Sequence, residues 1–355
     1  PAGAALGLAL RRAGVARVAM LDRPVGGAFR IGESVAPGLA PLLRRLGLPD
    51  DLERLGHRPY HGNRSLWGGV ASVDDFLHRG LGHGWHVDRA AFDAWLRAAA
   101  VAEGVRLLAP ARLETVTAAR DGWHLRLSHD GRVREQFARF VVDASGRRAA
   151  LATRLGVARR RCDFMVAIAA LVPEARPGLG TLSLVEAAAD GWWYAASLPN
   201  GLALVSLMTD HDIARAGGLA QSEKFRAAWA ATEELACRVP PPAALPGRLA
   251  VFPAHTQYAE RAAGRGWLAV GDALLALDPL TAAGITGAID DACAAAETIC
   301  AWLRGAREID RSEAAASHAR RATSTLRRYL TERRRLYAAE RSWADRPFWR
   351  RRAGA

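Results

Sequence analysis

Apolar residues recur along this chain with two periods, and the period changes where the architecture changes. Residues 4–13 carry small and aliphatic side chains at helical spacing, which predicts a helix feeding a short strand at 16–21. A glycine-rich stretch at 26–34 interrupts the pattern, and a short helix through Leu46 follows, opened by Ser34 or Pro37. Between 86 and 101 a strand end becomes a helix, because Ala91, Phe92, Trp95, Leu96 and Ala99 share one face. Strands are predicted at 105–109 and 112–118, and a hairpin from 122–128 to 137–142 that turns at Asp130-Gly131. From 162 to 207 the period shortens to that of strands, at 164–171, 181–185, 191–197 and 202–207. Strand alternation places Trp192 and Tyr194 on one face and Trp193 on the other. A helix at 221–237, a proline-rich linker at 239–246 and a strand at 249–252 come next. After a buried strand at 267–270, the remainder reads as helix at 284–303 and 311–344.

Half of the 355 residues are hydrophobic, which supports one large or two moderate domains. The formal net charge is +13 and comes almost wholly from arginine, since Lys224 is the only lysine. Basic clusters stand at Arg159–Arg161, 333–335 and 350–352. They read either as docking surfaces for an acidic partner or as solvated faces of an arginine-rich composition. No nucleic-acid motif accompanies them, so no nucleic-acid partner is expected. The four cysteines have no CxxC spacing, and Cys293 and Cys300 lie one heptad apart on one helix. Buried thiols in a reducing cytoplasm fit this better than disulfides or a metal site. No apolar run is long enough to span a membrane. The opening segment lacks a basic leader and is interrupted by Arg11 and Arg12, so it reads as helix and strand, not as a secretory signal.

Candidate chemistry concentrates at 266–292, GWLAVGDALLALDPLTAAGITGAIDDA. Gly271 would let backbone approach a phosphate chain with no Cβ in the way. Asp272 would accept hydrogen bonds from ribityl hydroxyls. The turn at 281–286 would aim free N–H groups at the negative edge of a reduced isoalloxazine. Residues 1–5 look like the end of a GxGxxG-type turn, with Gly3 and Ala4 at a helix start and the opening strand before Pro1. Asp22 follows Gly3 by nineteen residues, the spacing of an acid on an adenosine ribose, with Arg23 beside it. Glu33 and Ser34 offer polar groups along the cofactor. Arg89 opens a helix where an acid would be more usual, which suggests contact with cofactor phosphate. Trp67, Trp192 and Tyr194 are either walls of a substrate pocket or ordinary core. His61, His83, His86 and His255 are either proton-relay candidates or structural. Phe348 and Trp349 form a hydrophobic latch.

Taken in order, the PAG start, Asp22, the GES segment at 32–34, VVDASGR at 141–147 and GDALLALDPLTAAGI at 271–285 resemble the FAD-dependent monooxygenase and tryptophan-halogenase-like flavoproteins over nearly the whole chain. The resemblance implies an α/β fold: a Rossmann-like FAD-binding domain, an inserted antiparallel β-sheet substrate domain and a helical C-terminal region. The expected divisions are 1–160, 161–247, 248–305 and 306–355. Asp143 and Gly146 would close over the adenosine diphosphate. Asp278, Pro279, Gly284 and Ile285 would form the turn against the isoalloxazine where oxygen reacts. The implied activity is hydroxylation of an aromatic, indole-like substrate through a C4a-hydroperoxyflavin, with O2 as co-substrate. Electrons would come from NAD(P)H or from reduced flavin made by a partner reductase. Halogenases of this group carry a lysine in the cofactor half and a WxWxIP motif. Lys224 lies elsewhere, and GWWYAASLP at 191–199 lacks that pattern. The same segment, with VSLMTD at 205–210 and the RPFW end, resembles flavoproteins that hydroxylate a peptidyl tryptophan during tryptophylquinone maturation. That would make the substrate a peptide in a partner protein. The alternatives are a halogenase or reductase of the same fold, or a non-catalytic binding module.

Overall fold

The computed structural model describes residues 1–23, 30–174, 178–305 and 307–354. Part of the glycine-rich 26–34 loop lies outside the described residues. Helix Ala2–Arg12 packs its small face between helix Gly284–Arg304 and helix Arg89–Ala102, and Ala5, Leu8, Phe92, Leu96 and Ile289 are sealed from solvent there. Small side chains let these helices approach closely. Beneath them, strand Ala19–Leu21 runs parallel to Arg106–Leu108, and Val141–Asp143 runs parallel to Trp267–Ala269. Residues 267–270 are fully buried, as parallel strands covered on both faces require. The pairing of 141–143 with 267–269 makes the intervening chain an excursion from the nucleotide-type core.

That excursion supplies five strands, and the chain before it two, to a seven-stranded sheet in the order Ala250–Pro253, Met165–Pro173, Leu202–Asp210, Gly191–Ser197, Leu182–Ala188, Gly62–Trp67, Val70–Asp75. The sheet therefore draws strands from outside 161–247. One pairing, Leu182–Ala188 with Gly62–Trp67, is parallel; the others are antiparallel. Trp193 packs on Phe225 and Trp229 of helix Ser222–Ala230, while Trp192 lies on the opposite face with Met165, Met208, Tyr337 and Trp349. The alternation read from the sequence holds.

Several boundaries differ. The predicted 221–237 helix breaks into Ser222–Ala230 and Glu234–Arg238, because the buried Glu186 carboxylate accepts the N–H groups of Glu233, Glu234 and Leu235 and caps a new helix start. The hairpin turns at Asp130-Gly131 as expected, but its second arm is Arg132–Ala138. The long C-terminal helix is Glu308–Ala338, followed by the short helix Pro347–Ala353 that seats Phe348 and Trp349. Among the described residues, no helix is long and apolar enough to cross a membrane. Cys293 and Cys300 are buried, free thiols.

The basic clusters are mostly exposed, but two of their arginines are internal. Arg333 and Arg352 are nearly sealed from solvent and ion-paired, Arg333 to Asp163 and Asp278, Arg352 to Asp210. Arg351 forks onto Asp212 and Asp210. Reading the clusters as solvated or docking faces is thus corrected for Arg333 and Arg352 alone.

Candidate active site between two helix N-termini

Gly271 sits where helices Ala2–Arg12 and Gly284–Arg304 converge. Its φ is +57°, and a Cβ there would stand 2.9 Å from Ala2 Cβ and 3.4 Å from Ala288 Cβ. The space denied to a side chain is taken by the two helices, which adds a packing reason for glycine here. Its N–H donates to the half-buried Asp291 carboxylate at 2.9 Å. At Gly3 a Cβ would lie 3.3 Å from Ala144 Cβ, so Gly3 and Ala4 let the helix seat against the turn after strand Val141–Asp143. The nitrogen of Pro1, at that helix start, feels the charges of Asp93, Arg89, Asp272 and Arg30. Both guanidinium groups there are ion-paired with Asp93, so the helix N-terminus faces a mixed cluster of two cations and two carboxylates.

The remaining predicted residues divide by what their side chains already do. Asp143 is spent inside the fold: its oxygens accept from Ser145, Leu151 and Ala152 and shape the turn that contains Gly146. Asp22 follows strand Ala19–Leu21 and pairs with Arg97, and Arg23 beside it is exposed. Asp272 is half-exposed and 3.8 Å from Arg147 Nε. Arg89 Nη1 donates to the carbonyls of Ile31 and Gly32 and Nη2 to Asp93, so it braces the 30–34 loop.

Asp278 is fully buried. Its Oδ1 accepts from Leu280 N at 2.9 Å, and its Oδ2 accepts from Tyr337 Oη at 2.7 Å and from Arg333 Nε at 3.3 Å. Tyr329 Oη accepts from the Asp278 N–H. Burial pushes this carboxyl up, opposed by the Arg333 charge and these hydrogen bonds. The carboxylate fixes the turn; Pro279 and Gly284 beyond it are exposed and Ile285 is buried. Trp192 Nε1 donates to Tyr337 Oη at 3.0 Å, so one hydroxyl ties the roof sheet to the turn. Trp67 donates to Leu336 O and packs edge-on to Trp349 at 5.0 Å between ring centres. Trp67 and Trp192 therefore belong to the C-terminal latch. Tyr194, by contrast, lies deep in the molecule yet keeps part of its surface accessible, packed near Ile31 and Leu280.

Sequence reading missed Tyr329, Arg333 and Tyr337, whose four-residue spacing on one helix was the available signal. It also missed His318, which bonds Ala269 O and faces Asp291. Of the histidines singled out, His86 is sealed in the interior and joins Ser34; His61 bonds Thr181, His255 bonds Gln257, and His83 is exposed.

Glu33 is sealed as well. Its Oε2 accepts from Gly32 N at 2.8 Å and its Oε1 has no partner. Burial raises its pKa to about 7, opposed by hydrogen bonds from its own and Gly32's N–H and by the Arg89 charge. The folded state thus keeps this proton to higher pH than the unfolded chain, whose carboxyl titrates at about 4.5. The associated stability is complete below pH 4.5 and is lost as pH rises through 7. Glu33→Gln, permanently neutral, should melt at an increasingly higher temperature than wild type from pH 5 to pH 8 in flavin-free protein, a limiting advantage of about 3 kcal/mol. Parallel melting curves would contradict the burial assignment.

Residues 70–355 match the tryptophan halogenase family model. The chain belongs to the tryptophan halogenase family. It is accordingly an oxidoreductase of flavoprotein type, and its α/β architecture is that of solved flavin-dependent halogenases. The halogenase CmlS superposes with a TM-score of 0.87 at 23% identity, over 99% of this chain and 66% of its own. Two other proteins are more similar in sequence. The putative FAD-dependent oxidoreductase LodB of Marinomonas mediterranea is 29% identical over 99% of this chain and 94% of its own. The peptidyl tryptophan dihydroxylase QhpG, essential for tryptophylquinone cofactor biogenesis, is 27% identical, with a TM-score of 0.80 over 99% of this chain and 76% of its own.

Proposed function

We propose that this chain binds FAD and hydroxylates an aromatic, indole-like ring, with a tryptophan in a partner peptide as the favoured substrate class. Four of the seven buried side-chain atoms without a partner among the described residues gather along residues 31–38: Glu33 Oε1, Arg89 Nε, Asp93 Oδ1 and Thr286 Oγ1. Gly38 places Thr286 there, its Cβ position being 3.5 Å from the Thr286 methyl. Buried polar atoms normally find partners, so this concentration supports a polar ligand lying along the loop. Cβ positions at Gly146, Gly284 and Gly287 meet only open space. In this fit Arg30, Arg89 and the first turn of helix Ala2–Arg12 hold the diphosphate, Asp272 faces the ribityl chain, and the turn from Asp278 to Ile285 backs the ring. The flavin, when bound and reduced, supplies activation of O2.

The observation that carries hydroxylation over halogenation is the position of the sole lysine. Lys224 is exposed on helix Ser222–Ala230, which covers the Trp193 face of the sheet, while Tyr194 points from the other face. No ammonium of this sequence faces the Tyr194 side. The similarity to the peptidyl tryptophan dihydroxylase QhpG supports a peptidyl over a free substrate. Lys224→Met should leave turnover within twofold of wild type; a collapse of activity would favour the halogenase reading. Reduction by NAD(P)H and by a reductase-supplied flavin are separated by single-turnover assays with each donor.

A further inference from the structure

We propose that Tyr194 is a substrate-contacting hydrogen-bond donor, held in one sense by Ser34 and His86, that selects an aromatic substrate carrying an acceptor oxygen beside its ring. The inference rests on the hydroxylase reading for the site but is carried by a separate set of contacts. Strand pairing sets Ser34 directly across from His86. Ser34 Oγ lies 2.8 Å from His86 Nδ1 and 2.5 Å from Tyr194 Oη, making one continuous chain from the interior to the face of the roof sheet that carries Leu280.

His86 fixes the direction of that chain. It is fully buried, stacked at 4.6 Å between ring centres on Tyr60, with the Arg58 charge nearby. Burial first, and then Arg58, depress its pKa to about 3, so the imidazole is neutral and carries one N–H. Nε2 has no partner. An orphaned buried N–H is rarer and costlier than an orphaned lone pair. The hydrogen therefore sits on Nδ1 and is donated to Ser34 Oγ. Ser34 then donates its own hydrogen to Tyr194 Oη, and the tyrosine hydrogen is left to point away from both. A buried charge without a partner is costly, so an anionic acceptor is disfavoured at this depth. A neutral carbonyl is the ligand chemistry that fits, as in an amide attached to an indole.

The test is calorimetric titration of the FAD-loaded enzyme with two probes, indole-3-carboxamide and 3-methylindole. Wild type should bind the carboxamide about tenfold more tightly. Tyr194→Phe should remove that preference while leaving the methylindole affinity unchanged, and Ser34→Ala should reduce it in part. Equal binding of the two probes by wild type, or equal loss of both in Tyr194→Phe, would overturn the donor role. Thermal melting identifies a variant that fails to fold, in which case the wild-type probe pair decides. Hydroxylation is read separately from product mass. Intact hydroxylation without discrimination refutes the donor role alone, and discrimination without hydroxylation refutes the reaction assignment and upholds the donor role.

Discussion

Arg333→Met should destabilise the protein by about 3–5 kcal/mol, the range for stripping one partner from a buried ion pair. Arg333 is 7% exposed at its side chain and reaches Asp163 at 2.9 Å and Asp278 at 3.3 Å. Methionine fills the volume but leaves Asp278 buried without its cation and Asp163 with only the longer Arg352 contact at 4.0 Å. The melting midpoint should fall on the order of 10 °C. The deficit should be larger at pH 8 than at pH 5. Burial already raises the Asp278 carboxyl, and without Arg333 opposing it the folded state would hold that proton more tightly still. Stability tied to a raised carboxyl is lost as pH rises. Asp278→Asn is the informative companion. It keeps an acceptor for Leu280 N and leaves Arg333 on Asp163, so it should cost less. A variant at Arg333 that melts like wild type would show that the C-terminal helix does not hold the turn.

Gly271→Val is expected to abolish flavin retention and to cost about 2–5 kcal/mol. A non-glycine residue at φ +57° pays about 1–2 kcal/mol of backbone strain. Its Cβ would also press on Ala2 at 2.9 Å, and such overpacking adds about 1–3 kcal/mol. The relief available is separation of the two helix N-termini, which would move the first turn of helix Ala2–Arg12 away from Asp272. Gly3→Ala, with its nearest contact at 3.3 Å, should be milder. Flavin content after purification and the melting midpoint check both. Normal flavin content in Gly271→Val would remove the convergence of the helices from the cofactor argument.

How much of this was legible in the linear chain depends on whether a contact is local. Helix Ala2–Arg12, strand Gly191–Ser197 and helix Gly284–Arg304 follow from period alone, since each buries one face and the apolar residues recur accordingly. Strands Gly62–Trp67 and Val70–Asp75 were not read because neither alternates: the first is half-buried along most of its length and the second is exposed over four residues. The arginine clusters misled for a geometric reason. Successive helical residues turn by about 100°, so of three adjacent arginines one points inward, and only the presence of Asp163, Asp278 or Asp210 decides that it does. The role of Asp278 was hidden similarly. Its motif places it at a turn, but the partners that consume its carboxylate, Arg333 and Tyr337, come from more than fifty residues downstream. The GES segment drew notice for its polar groups, while the seclusion of Glu33 and the pairing of Ser34 with His86 depend on a three-stranded sheet that local pattern does not reveal.

The measurement that tests the central claim most directly is aerobic turnover of the FAD-loaded enzyme with a tryptophan-containing peptide, a chemical source of reduced flavin, isotopically heavy O2 and added bromide. The account predicts a peptide product carrying heavy oxygen on the indole and no bromine. A brominated product, or oxygen derived only from water, would contradict it.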